Sequence, residues 1–433
     1  MKFSTINRSL NWPLALSFSA FISLAPIQAQ ANGNSEVAGE GVAIVDVVNN
    51  YANIGLATYQ DALQTAEDLR TTIEDLLNDP TEENLDLAQQ AWRTARIPYE
   101  VGEIFVQGNP VVANWANQVN AWPIDASYID YVAATSSSRS TNIIGSANLL
   151  VGDESIDVEK ISTELISGQL HLANDVKTNV ASGYHVIEFL LWGEDNSGAE
   201  ETDVEGGAGI RPASDFDLEN CTNSNCERRG EYLYTSVNLL IEDLQEMVGN
   251  WLVTGEARRA LLADPEQGLS MMVASMSSLA YSELAANRLA RSLNIGEQIS
   301  EQDQFSNNSN ISYLFNARGL IGVYFGEYFS MKNDYISGPS IADLMADKDP
   351  VLDEEFRVAL GFAMARIRLM VEYARDVEAY DLMIAPTNEA GNALISDAIY
   401  SLLALNETLQ KFPAVLGLEP IILQATSELE NFQ

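Results

Sequence analysis

The stretch SGYHVIEFLLWGED, residues 182–195, carries two side chains able to share one ligand, His185 and Glu188. The chain has only 2 histidines, His171 and His185. On a helix, positions three apart lie about 60° around the axis and one turn along it, so imidazole and carboxylate converge on one point. That geometry suits two ligands of one metal ion. The neighbours Val186, Ile187, Phe189, Leu190, Leu191 and Trp192 make such a helix apolar on nearly every face, so the pair is expected to be buried. A buried charge needs a partner, and the plain alternative to a ligand pair is a histidine and a glutamate hydrogen-bonded within the core. Gly183, two residues upstream, weakens a helix and often marks the close approach of another element.

Zinc-peptidase patterns are missing around His185: there is no H-E-x-x-H, and H-x-x-E-H fails because position 189 is Phe. A metal here would be bound mainly by oxygen, which favours iron, with zinc and calcium behind it. Glu100 and Glu103 in RIPYEVGEIF, and Asp125 and Asp130 in NAWPIDASYIDY, are the carboxylates on offer. A neutral imidazole is the binding form, with its second nitrogen held by another group, so affinity is expected to fall as pH drops through the histidine pKa, about 6–7 for an unperturbed imidazole.

The elements that must position these residues read as helix almost throughout. Windows such as VVNNYANIGLATYQDALQTAEDLRTTIEDLLNDP and FRVALGFAMARIRLMVEYARDVEAYDLMIAP repeat apolar residues every three or four positions. Hairpin signals are scarce. Asp79-Pro80-Thr81 reads as a break followed by a helix cap, and a helix is expected across residues 171–193. The polar stretch 196–230 divides the helical material. The expected fold is therefore all-α, with one bundle over 36–195, a polar loop over 196–230, a second bundle over 231–433 and a cleft where the bundles meet. Residues 1–31 read as a signal peptide: Lys2 and Arg8, an apolar run from about Trp12 to Leu24, then small residues ending at Ala31. The mature chain is thus expected in the periplasm or at the outer membrane. In that oxidising setting Cys221 and Cys226 are expected to form a local disulfide.

With 62 acidic against 23 basic residues the net charge is −39, which excludes nucleic acid as a partner and favours cations or basic peptides. A hydrophobic share of 46% supplies ample core, so the acidity does not signal disorder.

Several separated segments resemble the imelysin-like family, the M75 peptidase class of insulin-cleaving and iron-regulated bacterial envelope proteins. GYHVIEFLLWGED is similar to its G-x-H-x-x-E signature. WRTARIPYEVGEIF, VNAWPIDASYIDYV, GIRPASDF, CTNSNCERRGEYL, SELAANRLARSL and EQDQFSNNSNISYLFNARGLIGVYFGEY resemble further family segments in the same order, from about residue 50 to 330. The tail beyond 340 matches only in helical character. The resemblance implies two helical domains with Gly183, His185 and Glu188 in the cleft between them. It adds Arg96, Tyr99, Glu103, Trp122, Asp125, Ser306 and Arg318 to the candidate site, with Glu103 as a third metal ligand. One departure is Asn307, where the family pattern has aspartate after F-S.

Three functions follow, in this order. The first is an envelope protein of iron or other metal acquisition, holding an ion or a metal-bearing ligand. The second is an M75-type metallopeptidase. The third is a non-enzymatic module binding a peptide or protein. Peripheral attachment to the outer membrane or to an envelope protein is open, as is the oligomeric state.

Overall fold

Helix α1, Ile44–Asn78, buries a stripe that includes Val48, Ala52, Tyr59, Ala62, Ala66, Leu69, Ile73 and Leu76. This three-and-four spacing packs along α2, Glu82–Gly102. Thr81 ends the break between them, its side chain accepting from the Asn84 amide, and Glu82 and Glu83 in the first turn complement the helix dipole. The computed structural model describes residues 41–132, 139–195, 206–297, 300–423 and 426–432. The expected signal peptide and residues 196–205 of the polar loop lie outside them.

The remaining principal helices are α3 (Pro110–Asn120), α4 (Tyr184–Trp192), α5 (Cys226–Trp251), α6 (Pro265–Ser278), α7 (Ser309–Phe325), α8 (Pro350–Asp376) and α9 (Glu389–Leu409). Among the described residues the fold is all-α apart from two small antiparallel hairpins. These pair β1 (Asn148–Val151) with β2 (Glu154–Asp157), and β3 (Glu327–Phe329) with β4 (Tyr335–Ser337). Their strands are too short for alternation to show in the sequence. Helices from before and after the polar segment pack together, α5 on α1 and α7 on α2, and residues 41–433 gather into one compact unit. Past Ser278, α6 widens into a π-type stretch, Leu279–Ala290, and returns to α geometry at Arg291–Ile295.

One helix boundary differs from expectation. The helix expected over 171–193 starts only at Tyr184, because Leu172 and Asn174 take left-handed backbone and the Leu172 amide bonds to the Asn179 carbonyl 2.7 Å away, closing a loop. Helix α5 begins at Cys226, and the Cys221–Cys226 disulfide sits at its start.

Asp130, one of the carboxylates offered for a metal, is claimed by arginines instead. Arg229 Nε donates to its Oδ2 at 2.7 Å and Arg211 Nη1 at 3.1 Å, while Arg211 also reaches Asp215 Oδ2 at 2.8 Å. All four side chains are buried. Asp130→Asn is expected to lower stability by roughly 3–5 kcal/mol, since it strands buried guanidinium charge, while the metal content per folded molecule stays as in wild type. Chemical denaturation with metal analysis of the folded fraction checks both parts.

Candidate metal centre

Three pieces of backbone deliver the site. Helix α4 brings His185 and Glu188, α2 brings Arg96 and Glu100, and the turn preceding α7 brings Asp303 and Ser306. All nine residues of α4 are buried, as its apolar sequence requires. It is clamped to α2 at both ends: Tyr99 packs on Tyr184 with ring centroids 5.0 Å apart, and Trp92 on Trp192 at 5.3 Å. The Trp92 indole N–H also donates to the Tyr184 carbonyl at 2.9 Å. The turn is tied down from the other side, Phe305 packing on Phe189 at 5.0 Å and its carbonyl accepting from the Gly209 amide at 2.8 Å.

Gly183 is the N-cap of α4, with φ +89°. Its bare Cα lies against the end of α3, where a Cβ would stand 2.3 Å from the Val119 carbonyl oxygen. The expected close approach is therefore real, although the glycine starts the helix instead of sitting within it.

His185 Nδ1 lies 3.1 Å from Glu188 Oε2 and 3.6 Å from Asp303 Oδ1. One ligand atom from each of these three residues falls within 4.8 Å of the others. Ligands held at ~2.0–2.2 Å from one ion sit roughly 3–3.5 Å apart, so a cation fits between these atoms with small adjustments. The second carboxylate oxygen of Glu188 is fixed by Ser306, whose amide and hydroxyl donate to Oε1 at 2.8 and 2.7 Å. Asp303 Oδ1 accepts from Arg96 Nη2 at 2.9 Å, and its Oδ2 from the Ser312 hydroxyl and from Asn308 at 3.3 Å.

Electrostatically the cluster is short of positive charge. Arg96 is the guanidinium in contact with it, and that group already pairs with both Glu100 and Asp303. Burial pushes Glu188 well above the usual carboxylate range, with neighbouring Asp303 adding to the rise, and pushes Glu100 up to about 8. Burial alone would raise Asp303 as well, but Arg96 and His185 hold it below its ordinary value. The imidazole of His185 is pushed down to about 3 by burial and by Arg96, so it is neutral at physiological pH. The value of about 6–7 for an unperturbed imidazole therefore does not apply to His185. His185 Nε2 is buried with no hydrogen-bond partner, so the second-nitrogen partner expected for a ligating imidazole is not found among the described residues.

The other candidate residues scatter. Ser306 and Arg96 join the cluster as hydrogen-bond partners. Glu103 stands one step away: its Oε1 accepts from Asn120 Nδ2 at 3.0 Å, and Asn120 Oδ1 in turn accepts from Arg96 at 2.7 Å. Glu103, Tyr99 and Trp122 line a neighbouring cavity of about 390 Å³. Asp125 caps the short helix Ala126–Ile129 through the Ser127 amide and pairs with Arg139 Nε at 2.7 Å. Arg318 is half-buried over the Phe315 ring at 4.9 Å. Asp303 is the residue that the sequence reading missed; it stands in a turn, where no periodicity marks the direction of its side chain. Asn307 takes left-handed backbone, φ +50°, which asparagine tolerates well.

At the level of class, this is an all-helical protein that buries one imidazole between two carboxylates. The chain belongs to the imelysin family (Peptidase_M75), which matches residues 55–410. No curated protein matches it. Among solved structures it is similar to one from Parabacteroides distasonis ATCC 8503, named as an iron-regulated protein A precursor. The two share 18% identity and a TM-score of 0.59, with 86% of this chain and 97% of that chain covered. It is also similar to an imelysin-like protein from Psychrobacter arcticum 273-4, at 15% identity and a TM-score of 0.58, with 88% and 99% covered. These likenesses support the fold.

Proposed function

We propose that this protein is an exported metal-binding protein of the cell envelope that holds a cation, iron first, on His185, Glu188 and Asp303, in the service of metal acquisition. The observation that carries this reading is the buried trio itself: a neutral imidazole and two carboxyls converge where the Arg96 guanidinium is already shared between Asp303 and Glu100, with Arg93 and Arg288 farther off. A cation supplies the missing charge. The N-terminal segment of signal-peptide type and the iron-regulated relative point the same way.

The metallopeptidase reading finds less support. His185 is 1% exposed, and Glu188 and Asp303 are 0% exposed, so a peptide bond has no route to the trio without rearrangement. Holding or relaying an ion requires only that the ion enter.

The test is metal analysis of the mature protein purified without chelators, followed by titration with ferrous, manganous, zinc and calcium ions. One ion per chain is expected, and no specific ion at any pH would end the reading. The pH dependence follows from Glu188. Its carboxyl must lose a proton to bind, and its pKa is raised, so protons compete with the ion below that pKa. Manganous-ion affinity is expected to rise about tenfold per pH unit up to the Glu188 pKa, one proton leaving per ion bound. A profile flat across this range would show that ion binding displaces no proton from Glu188, contrary to its raised pKa.

A further inference from the structure

The cavity beside the trio has chemistry of its own. Arg288 and Arg291 project from the end of the π-type stretch and the turn after it, and the guanidinium carbon of each lies 5.5 Å from the Trp122 ring centroid. Such widened helical turns often occur at functional sites. Neither guanidinium is well satisfied. Arg288 meets Glu283 Oε2 only at 3.7 Å and Arg291 meets Glu428 Oε1 only at 3.5 Å. The Nε atoms of both are buried without a hydrogen-bond partner, as is the indole Nε1 of Trp122. A buried guanidinium normally spends its fork of N–H groups on an oxygen anion, because an unmade bond to a charged donor is costly.

The two carboxylates of the wall are, by contrast, already engaged. Glu103 accepts from Asn120 at 3.0 Å, and Glu283 Oε1 accepts from Asn287 at 3.3 Å and from Gln107 at 3.5 Å. What the cavity leaves unspent is therefore donors: two guanidinium edges and an indole N–H around a space of about 390 Å³, within the range of small-molecule sites. Against a chain of net charge −39, a wall whose two arginines match its two carboxylates, Glu103 and Glu283, is locally far less negative than the rest of the protein.

The geometry points to a binding site for a small polycarboxylate, its carboxylates taken by Arg288 and Arg291 beside the Trp122 ring. The planar fork of arginine matches a carboxylate in a two-bond arrangement. This site stands on different residues from the metal-binding reading and does not depend on it. The two are nonetheless neighbours, since Asn120 joins Glu103 in the cavity wall to Arg96 beside Asp303.

The experiment is calorimetric titration of the metal-free mature chain, at low salt, with tricarballylate, citrate and inorganic phosphate. Saturable one-to-one binding of the two tricarboxylates is expected, with phosphate weaker. Arg288→Gln and Arg291→Gln should each weaken it at least about tenfold, the order expected for one charge-assisted bond. Glu283→Gln should tighten it, because a like charge leaves the wall. That gain has a sign no purely structural role would produce. Arg291 is one-third exposed, so its variant is expected to fold even where Arg288→Gln does not. Binding that persists in His185→Ala belongs to the cavity whatever becomes of the metal site. The inference is overturned if the wild type shows no saturable binding, if Arg291→Gln binds as well as wild type, if phosphate equals the tricarboxylates, or if binding needs added metal and is lost in His185→Ala. The last result would place the anion on the ion instead of on the arginines.

Discussion

Asp303→Asn is expected to abolish stoichiometric metal binding as thoroughly as His185→Ala, although Asp303 stands outside the H-x-x-E signature. The substitution keeps the shape of the side chain and removes the ionised oxygen that faces His185 Nδ1 at 3.6 Å. Losing a partner outside the ligand set typically lowers affinity 10–100-fold, so loss of a direct ligand should exceed ~100-fold. Ser306→Ala provides the contrast. It removes the hydroxyl bond to Glu188 Oε1 but leaves the bond from the Ser306 amide, so a loss of about tenfold is expected. Because Asp303→Asn also deprives Arg96 of a partner, thermal melts must accompany the titrations. His185→Ala removes a ligand without altering the charge balance and separates the two effects. Full metal occupancy in folded Asp303→Asn would place the ion elsewhere or dismiss it.

The legibility of this site was uneven for physical reasons. His185 and Glu188 stood out because polar groups in a run as apolar as VIEFLLW must be buried, and their spacing put them on one helical turn. Asp303 was one of 62 acidic residues and sits in a turn, where no periodicity says which way a side chain faces. Its contact with His185 depends on Phe305 packing on Phe189, a tertiary event that leaves no local mark. Asn307 stands where the family pattern has aspartate, and a carboxylate reaches the cluster from four residues earlier on the same turn. Arg318 was placed by family pattern alone and Asp125 by that pattern and as one of the carboxylates on offer; Asp125 proves to cap a short helix while Arg318 lies over Phe315. The pKa of His185 was equally invisible, because its cause is the depth of burial and the nearness of Arg96. Helix identities survived best, since apolar spacing and caps such as Thr81 are written locally. The start of α4 was misread because it is set by the loop that Leu172 and Asn179 close and by one glycine pressed on another helix.

That glycine carries the second large expected effect. Gly183→Ala should destabilise the protein by roughly 2–6 kcal/mol, from about 1–3 for backbone strain and about 1–3 for overpacking. Its φ of +89° and ψ of −172° lie in a region that essentially only glycine occupies. The new Cβ would also stand 2.3 Å from the Val119 carbonyl oxygen and 2.5 Å from its carbon, and backbone cannot yield as a flexible side chain would. Two further glycines separate these causes. Gly193, at the other end of α4, has φ +73° and ψ −166°, but its nearest neighbour to a Cβ is Arg211 at 3.4 Å, so Gly193→Ala should show the strain alone. Gly168 has nothing within 4 Å, and its replacement should leave stability within about 0.5 kcal/mol. Denaturant midpoints of the three variants test the ordering. The consequence for the site follows from what Val119 adjoins. The next residue, Asn120, bridges Arg96 and Glu103, so pushing α3 and α4 apart disturbs His185 from one side and the guanidinium beside Asp303 from the other. Gly183→Ala that still folds should therefore bind metal weakly, whereas folded Gly193→Ala should bind it nearly as wild type does. Equal stability and equal metal affinity in Gly183→Ala and wild type would show that α4 is free to shift, and the contact between Gly183 and Val119 would then not be what positions His185.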